Sequence, residues 1–206
     1  MKHPEYWDQA IRELARRDRV LKRLTTRYPG MGLRSRGDAF HTLARSIVGQ
    51  QISVKAADRV WQRFAAALPK VAPEPVAAAD EALLRSCGLS RQKAAYLQDL
   101  ATGFVEGRLR PRSWRTHDDA ALMAELTRIK GIGRWTAEMF LIFHLMRPDV
   151  LPLDDLGLRR AVSLHYNGGT PLSKAEVRDI AEPWAPWRSV ATWYLWRSLD
   201  PVPVEY

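Results

Sequence analysis

The chain has 206 residues, of which 46% are hydrophobic, and its formal net charge is +9. This length and hydrophobic content predict one large domain or two small ones around a buried core, and they exclude a disordered chain. The single cysteine, Cys87, excludes an intrachain disulfide and any four-cysteine iron–sulfur cluster built by these residues. The basic charge favours a polyanionic partner.

The spacing of apolar residues predicts an all-α protein, because Ala, Leu and Arg recur at helical intervals and alternating β-branched runs are absent. Helices are predicted near residues 4–17, 18–28, 38–48, 53–67, 79–86, 91–106, 118–129, 133–146, 156–166 and 173–199. The last should break near Pro183 and Pro186. Residues 28–32 and the proline-rich stretch 69–75 are predicted linkers. No apolar run approaches the length of a membrane span, and we expect a cytoplasmic protein.

A first motif, IVGQQIS, covers residues 47–53 and places Gln50 and Gln51 at the end of an apolar helix. On these residues alone, a polar turn with Ser53 capping the next helix is an equally good interpretation. A second motif, GLSRQK, follows at residues 88–93.

The most informative stretch is LTRIKGIGRWTAEMFLIF, residues 126–143, where Gly131-Ile132-Gly133 lies between two predicted helices. Glycine permits a tight reversal and leaves room for a phosphate, and Ile132 is expected to anchor the turn. Backbone amides at the start of the second helix lack helical partners and could bind an anion. They belong to Gly133, Arg134, Trp135 and Thr136. A plain helix–helix corner is the alternative interpretation.

Two carboxylates, Asp154 and Asp155, precede a predicted helix start at Leu156. Aspartates at such a position commonly cap the helix and interact with its dipole. A functional role therefore needs support from the surrounding motifs.

Together these motifs, with WAPWRS at residues 184–189, resemble the helix-hairpin-helix DNA glycosylases. The resemblance covers roughly residues 37–200 and is greatest to the 3-methyladenine DNA glycosylase II type. It implies a central helical subdomain, 37–147, and a second one built from 1–36 and 148–206, with the active site in a cleft between them. It leaves no room for an N-terminal β domain.

The resemblance assigns the second aspartate, Asp155, as the catalytic residue, and leaves Asp154 to cap the helix or support its neighbour. A carboxylate stabilises the positive charge that develops on the sugar as an N-glycosidic bond breaks. An alkylated base is already cationic, so it leaves without a general acid. Bifunctional relatives carry a Schiff-base lysine where this chain has Trp135, which implies glycosylase activity without strand cleavage.

The resemblance also assigns DNA contacts. Trp135, Met139 and Trp196 are expected to line the base pocket, where indole faces attract a cationic base. Gln51, with Gln50 adjacent, is expected to fill the space left by the flipped nucleotide. The hairpin residues that bind phosphate would be Gly131, Ile132, Gly133, Arg134 and Thr136. Hairpin carbonyls near Ile129 and Gly131 are expected to hold a monovalent cation, such as sodium or potassium. Side chains are expected to hold no metal.

The implied function is excision of alkylated bases, of the 3-methyladenine or 7-methylguanine type, from double-stranded DNA by base flipping in base-excision repair. No organic cofactor, no membrane association and a monomeric state are expected. Two alternatives stay open: a non-catalytic module that recognises DNA lesions, and a glycosylase for deaminated bases such as hypoxanthine.

Overall fold

The computed structural model describes residues 3–34 and 38–199. Within these residues the chain forms α-helices, one 3-10 helix at Glu182–Trp184 and no strand, which confirms the all-α prediction. The α-helices are α1 (Trp7–Arg17), α2 (Arg19–Arg27), α3 (Ala39–Gly49), α4 (Val54–Ala66), α5 (Pro73–Ala78), α6 (Glu81–Ser86), α7 (Arg91–Val105), α8 (Asp119–Leu126), α9 (Arg134–Phe143), α10 (Leu156–Tyr166), α11 (Lys174–Ala181) and α12 (Arg188–Leu199).

The described residues divide into two compact units. Residues 3–34 and 141–199 form what we call the terminal unit, and residues 38–140 form the central unit. The boundary predicted between residues 36 and 37 lies outside the described residues, as do residues 1–2 and 200–206 of the second predicted subdomain. No helix in the part of the chain described here is both long and apolar enough to cross a membrane.

In the terminal unit, α12 packs against α1, α2 and α10. Trp7 and Tyr194 are fully buried there, with ring centroids 6.1 Å apart. Asp18 caps α2 and also accepts hydrogen bonds from Tyr166 Oη at 2.7 Å and Trp184 Nε1 at 3.1 Å. This half-buried polar network joins segments that are distant in sequence, and its pairing offsets the desolvation of the Asp18 carboxylate.

In the central unit, α7 packs against α3, α5 and α6, and α3 also packs against α4. Ile47, Phe64 and Leu97 are fully buried in this core. One face of α7 carries polar side chains that reach the motifs at residues 47–53 and 126–143, as described below. The position of α7 therefore determines the geometry of both motifs.

The linker predicted at residues 69–75 is wrong in its last part, because α5 begins at Pro73. Proline is favoured in the first turn of a helix, where its missing N–H has no intrahelical acceptor anyway. The fully buried Val76 then anchors this short helix in the core. The predicted break of the last helix is confirmed: α11 ends at Ala181 and α12 starts at Arg188.

Candidate active site

The hairpin between α8 and α9 is built around a glycine that no other residue can replace without strain. Gly131 has φ +82°, and a Cβ placed on it would lie 2.1 Å from Cδ2 of Tyr96. Ile132 is 3% exposed, and its backbone N–H donates to the Ile129 carbonyl at 3.1 Å. Ile132 is thus the buried anchor that the sequence predicts.

At the start of α9, by contrast, the space beside the glycine is open. Gly133 is exposed, and no heavy atom lies within 4 Å of the Cβ that it lacks. The first amides of α9 have no helical acceptor of their own. The Arg134 side chain, 71% exposed, donates to Glu138 at 2.9 Å, whereas Thr136 is buried. The backbone around Gly133 is therefore open to an approaching anion, and the phosphate contact stays a prediction.

Residues 50–53 form a turn between α3 and α4, which we call the wedge turn. Gln51 is exposed and has φ +58°, a left-handed conformation that residues other than glycine rarely adopt. Such conformations cost about 1–3 kcal/mol and concentrate at functional sites. Ser53 Oγ accepts the Ala56 N–H at 3.3 Å. The helix cap at Ser53 and an exposed Gln51 side chain are therefore compatible, and the cap does not exclude a DNA contact by Gln51.

The wedge turn is connected to the hairpin and to α7 by the side chains of Gln50 and Lys93, and the sequence interpretation gave Lys93 no role. Gln50 Nε2 donates to the Gly131 carbonyl at 2.8 Å. Lys93 Nζ donates to the carbonyls of Val48 and Gln50, each at 2.7 Å. Burial lowers the pKa of Lys93. The motif GLSRQK, which ends at Lys93, was the available signal for this connection.

The hairpin carbonyls named for a cation already accept hydrogen bonds. The Ile129 carbonyl accepts from Ile132, and the Gly131 carbonyl accepts from the Gln50 amide. Each carbonyl oxygen has a second lone pair, and the cation stays a prediction. The described residues contain no cluster of three or more His, Cys, Asp or Glu side chains suited to a metal ion.

In the terminal unit, Asp155 caps α10. Its Oδ1 atom accepts the Leu158 N–H at 2.6 Å and the Trp196 indole N–H at 2.7 Å. Two donors from different helices fix the orientation of this half-buried carboxylate. Gly157 leaves room for the arrangement, because a Cβ there would lie 3.1 Å from Asp155 Oδ1 and 3.3 Å from Trp196 Cδ1. Sequence reasoning missed Gly157.

The capping role predicted for Asp154 is wrong, because Asp155 itself caps the helix. Asp154 is exposed and forms an ion pair with Lys174. The residue immediately before a helix is the one whose side chain reaches the free amides of the first turn. Residue 155 holds that position, since α10 begins at Leu156.

All eight tryptophans lie in the described residues, and six of them are buried. The two half-exposed ones are Trp135 and Trp196, which are also the two that the resemblance places in a base pocket. The Trp196 ring stacks on Phe143, with centroids 5.6 Å apart and planes 12° from parallel. Met139 is only 4% exposed, and its part in a pocket stays a prediction.

Comparison with known proteins identifies the family to which this chain is similar. Residues 44–186 match the model of the HhH-GPD superfamily base excision DNA repair proteins. DNA-3-methyladenine glycosylase 1 of Schizosaccharomyces pombe is 36% identical over 166 residues, which are 78% of this chain and 72% of that protein. DNA-3-methyladenine glycosylase 2 of Escherichia coli is 34% identical, over 86% of this chain and 64% of that protein. This chain thus spans less than two thirds of the E. coli relative.

Solved structures show the same similarity over nearly the whole chain. A DNA-3-methyladenine glycosidase from Bacillus halodurans aligns with a TM-score of 0.89 and 30% identity, covering 97% of this chain and 93% of that one. The S. pombe 3-methyladenine DNA glycosylase, solved in complex with abasic DNA, aligns with a TM-score of 0.80 and 31% identity. That alignment covers 96% of this chain and 98% of the yeast chain.

Proposed function

Because the chain belongs to the HhH-GPD superfamily of base excision DNA repair proteins, we propose that it is a monofunctional DNA glycosylase for alkylated bases in double-stranded DNA. It hydrolyses the N-glycosidic bond of bases of the 3-methyladenine and 7-methylguanine type and leaves an abasic site. The observation that carries the proposal is the Asp155 carboxylate, held at the start of α10 by Leu158 and Trp196. The names of the relatives supply the substrate class.

The chemistry requires one carboxylate. The bond between C1′ and the base nitrogen breaks, and its electron pair leaves with the cationic base, which becomes neutral. The sugar takes up the positive charge, and the nearby Asp155 carboxylate stabilises it. Water then adds through its oxygen to C1′ and loses one proton, which Asp155 or solvent accepts.

The absence of strand cleavage follows from the side chains around the hairpin. A lyase needs an amine that attacks C1′ and forms a Schiff base with the sugar. The position at which bifunctional relatives carry that lysine holds Trp135, and an indole cannot form a Schiff base. Lys130, on the other side of Gly131, lies before the turn, where its backbone N–H donates to Asp99 at 2.8 Å.

Access to the glycosidic bond requires the nucleotide to leave the base stack. The exposed Gln51 side chain fills the vacated position in the duplex, and the open amides near Gly133 bind the backbone phosphate. The half-exposed indole of Trp196, which donates to Asp155, receives the base. Contact between an indole and a cation contributes about 0.5–2 kcal/mol, which favours alkylated over undamaged bases.

The test is base release from a duplex that contains one alkylated purine, with the wild type compared with Asp155→Asn. Asparagine caps helices as well as aspartate does, so this variant removes the charge and keeps the fold. We expect base release to fall by about a hundredfold or more. The wild-type product should break only after alkaline heating, since an abasic site is alkali-labile and the strand is otherwise intact.

Asp80→Asn is the matched control. Asp80 caps α6 through the Leu83 N–H at 2.6 Å, the same distance as in the Asp155 cap, and should tolerate the change. Tight binding to the lesion duplex without base release would contradict the proposal and favour a recognition module. Release of hypoxanthine alone would favour the glycosylase for deaminated bases.

A further inference from the structure

One face of α7 contacts both DNA-binding elements of the central unit. Lys93, Tyr96 and Asp99 follow each other at intervals of three residues and therefore lie along the same side of the helix. Lys93 bonds to the carbonyls of the wedge turn and the end of α3. Tyr96 lies under Gly131, and Asp99 accepts the Lys130 N–H at 2.8 Å. A single helix thus supports the wedge turn and the hairpin.

The Lys93 bonds lie where the backbone of the wedge turn changes direction. Gln50 has φ −55° and ψ 132°, and the next residue, Gln51, has φ +58°. The carbonyls of Val48 and Gln50 lie just before this reversal, and both accept from the same ammonium group at 2.7 Å. A cation at the carboxyl end of α3 also interacts favourably with the helix dipole. The two charge-assisted bonds stabilise a conformation that Gln51 would otherwise leave.

The Gln50 side chain adds a second connection. Its amide donates to the Gly131 carbonyl, across 81 positions of sequence. Any displacement of Gly131 therefore moves an acceptor of the residue that precedes Gln51. Phosphate binding at the hairpin and insertion of Gln51 thereby share one hydrogen-bonded chain of residues, from Lys93 through Gln50 to Gly131.

We propose that Lys93 is a positioning residue for base flipping, which holds the wedge turn in the strained conformation that presents Gln51 and, through Gln50, aligns it with the phosphate-binding hairpin. This inference rests on the proposed function. It gives a reason for a half-buried lysine, because a lysine that only supplied positive charge would keep its ammonium group in water. Burial opposes the charged form of Lys93, and the two carbonyl contacts offset that penalty.

The first test compares two substrates. Lys93→Met keeps the length of the side chain and removes the donors, whereas Lys93→Arg restores a cationic donor. We expect Lys93→Met to release an alkylated purine from a fully paired duplex about tenfold more slowly than the wild type. Release from a duplex in which the lesion lies opposite an abasic site should change less than twofold, since the lesion has no pairing partner and leaves the helix more easily. Lys93→Arg should recover most of the loss.

Lys70→Met, an exposed lysine on the loop between α4 and α5, is the control for loss of one positive charge. It should match the wild type on both substrates. Equal losses for Lys93→Met on the paired and the opened substrate would overturn the proposal and indicate a purely structural role. So would wild-type rates on both.

The second test is a double-mutant cycle with Gln51→Ala. If Lys93 acts through Gln51, the variant with both changes should be no slower on paired DNA than Gln51→Ala alone, because its effect is already lost. A double variant whose rate loss equals the product of the two single losses would refute the proposal. Unstacking of a 2-aminopurine next to an abasic analogue should show the same pattern by fluorescence. That readout needs no base release, so it separates failure of this inference from failure of the proposed glycosylase activity.

Discussion

The hairpin and the Asp155 cluster are constructed in opposite ways. The hairpin presents backbone amides, and its geometry depends on the absence of a side chain at Gly131, whereas the space beside Gly133 is open. The Asp155 cluster presents one carboxylate, and its geometry depends on a side chain being present at Trp196. The two regions should therefore fail differently when they are altered: the hairpin through steric exclusion, and the carboxylate cluster through loss of a directed hydrogen bond.

The two hairpin glycines provide the largest expected effect. In Gly131→Ala the new methyl group would lie 2.1 Å from a Tyr96 ring atom, at a φ of +82°. We expect a decrease in the melting temperature of several degrees, together with loss of DNA binding, since the ring must move and the turn is strained. Thermal unfolding and binding to an abasic duplex measure the two losses.

Gly133→Ala is the matched control in the same hairpin, because its Cβ position is open. It should melt close to the wild type and still bind DNA more weakly, since the methyl group occupies the space of the approaching phosphate. An equal decrease in melting temperature for both variants would contradict the steric account of Gly131. Wild-type DNA affinity in Gly133→Ala would remove the backbone at this position from the phosphate contact.

Removal of the indole N–H of Trp196 should have an intermediate effect. Trp196→Phe deletes the N–H that Asp155 Oδ1 accepts at 2.7 Å and retains an aromatic ring able to stack on Phe143. Hydrogen bonds to charged groups contribute about 1.5–3 kcal/mol, so we expect base release to slow by about tenfold or somewhat more. The measurement is the single-turnover rate on a paired lesion duplex, with the melting temperature as the control for folding.

In Trp196→Phe the carboxylate loses the indole donor and retains the bond from the Leu158 N–H. An unchanged rate would show that Asp155 is oriented without the indole N–H. A loss equal to that of Asp155→Asn would show that the indole also takes part directly in the reaction.

The smallest effect concerns the other end of α10, where His165 lies between Arg23 and Ser198. Burial lowers the pKa of His165 below its usual 6.5, and the nearby Arg23 and Arg27 lower it further. Between the lowered pKa and 6.5, His165 is therefore protonated to a greater extent in the unfolded chain than in the folded protein. The contribution of His165 to the free energy of unfolding is present above pH 6.5 and is lost as the pH falls through the lowered pKa.

We therefore expect the wild type to lose slightly more stability than His165→Gln when the pH is lowered from about 8 to about 5.5. Urea unfolding at both pH values measures the difference. Equal losses of unfolding free energy in the two proteins would show that His165 does not cause the pH dependence.

Much of the secondary structure could be predicted from the sequence. The predicted helix at residues 156–166 coincides with α10, and the one at 91–106 extends a single residue beyond α7. Both carry a strong local pattern and a clear cap, such as Ser90 before α7. The differences are short. The prolines of α5 led to its prediction as a linker, and α8 ends at Leu126, three residues before the predicted end. Sequence favours long periodic segments because their signal accumulates over several turns.

Local patterns were sufficient for the helical class, the hairpin glycines and the family resemblance, since each depends on residues close together in sequence. Folding was needed to bring Trp196 to Asp155 across 41 positions, Lys93 to Val48 across 45, and Gln50 to Gly131 across 81. These contacts depend on how helices pack within each unit, and helical periodicity carries no information about which distant side chain will meet which backbone carbonyl.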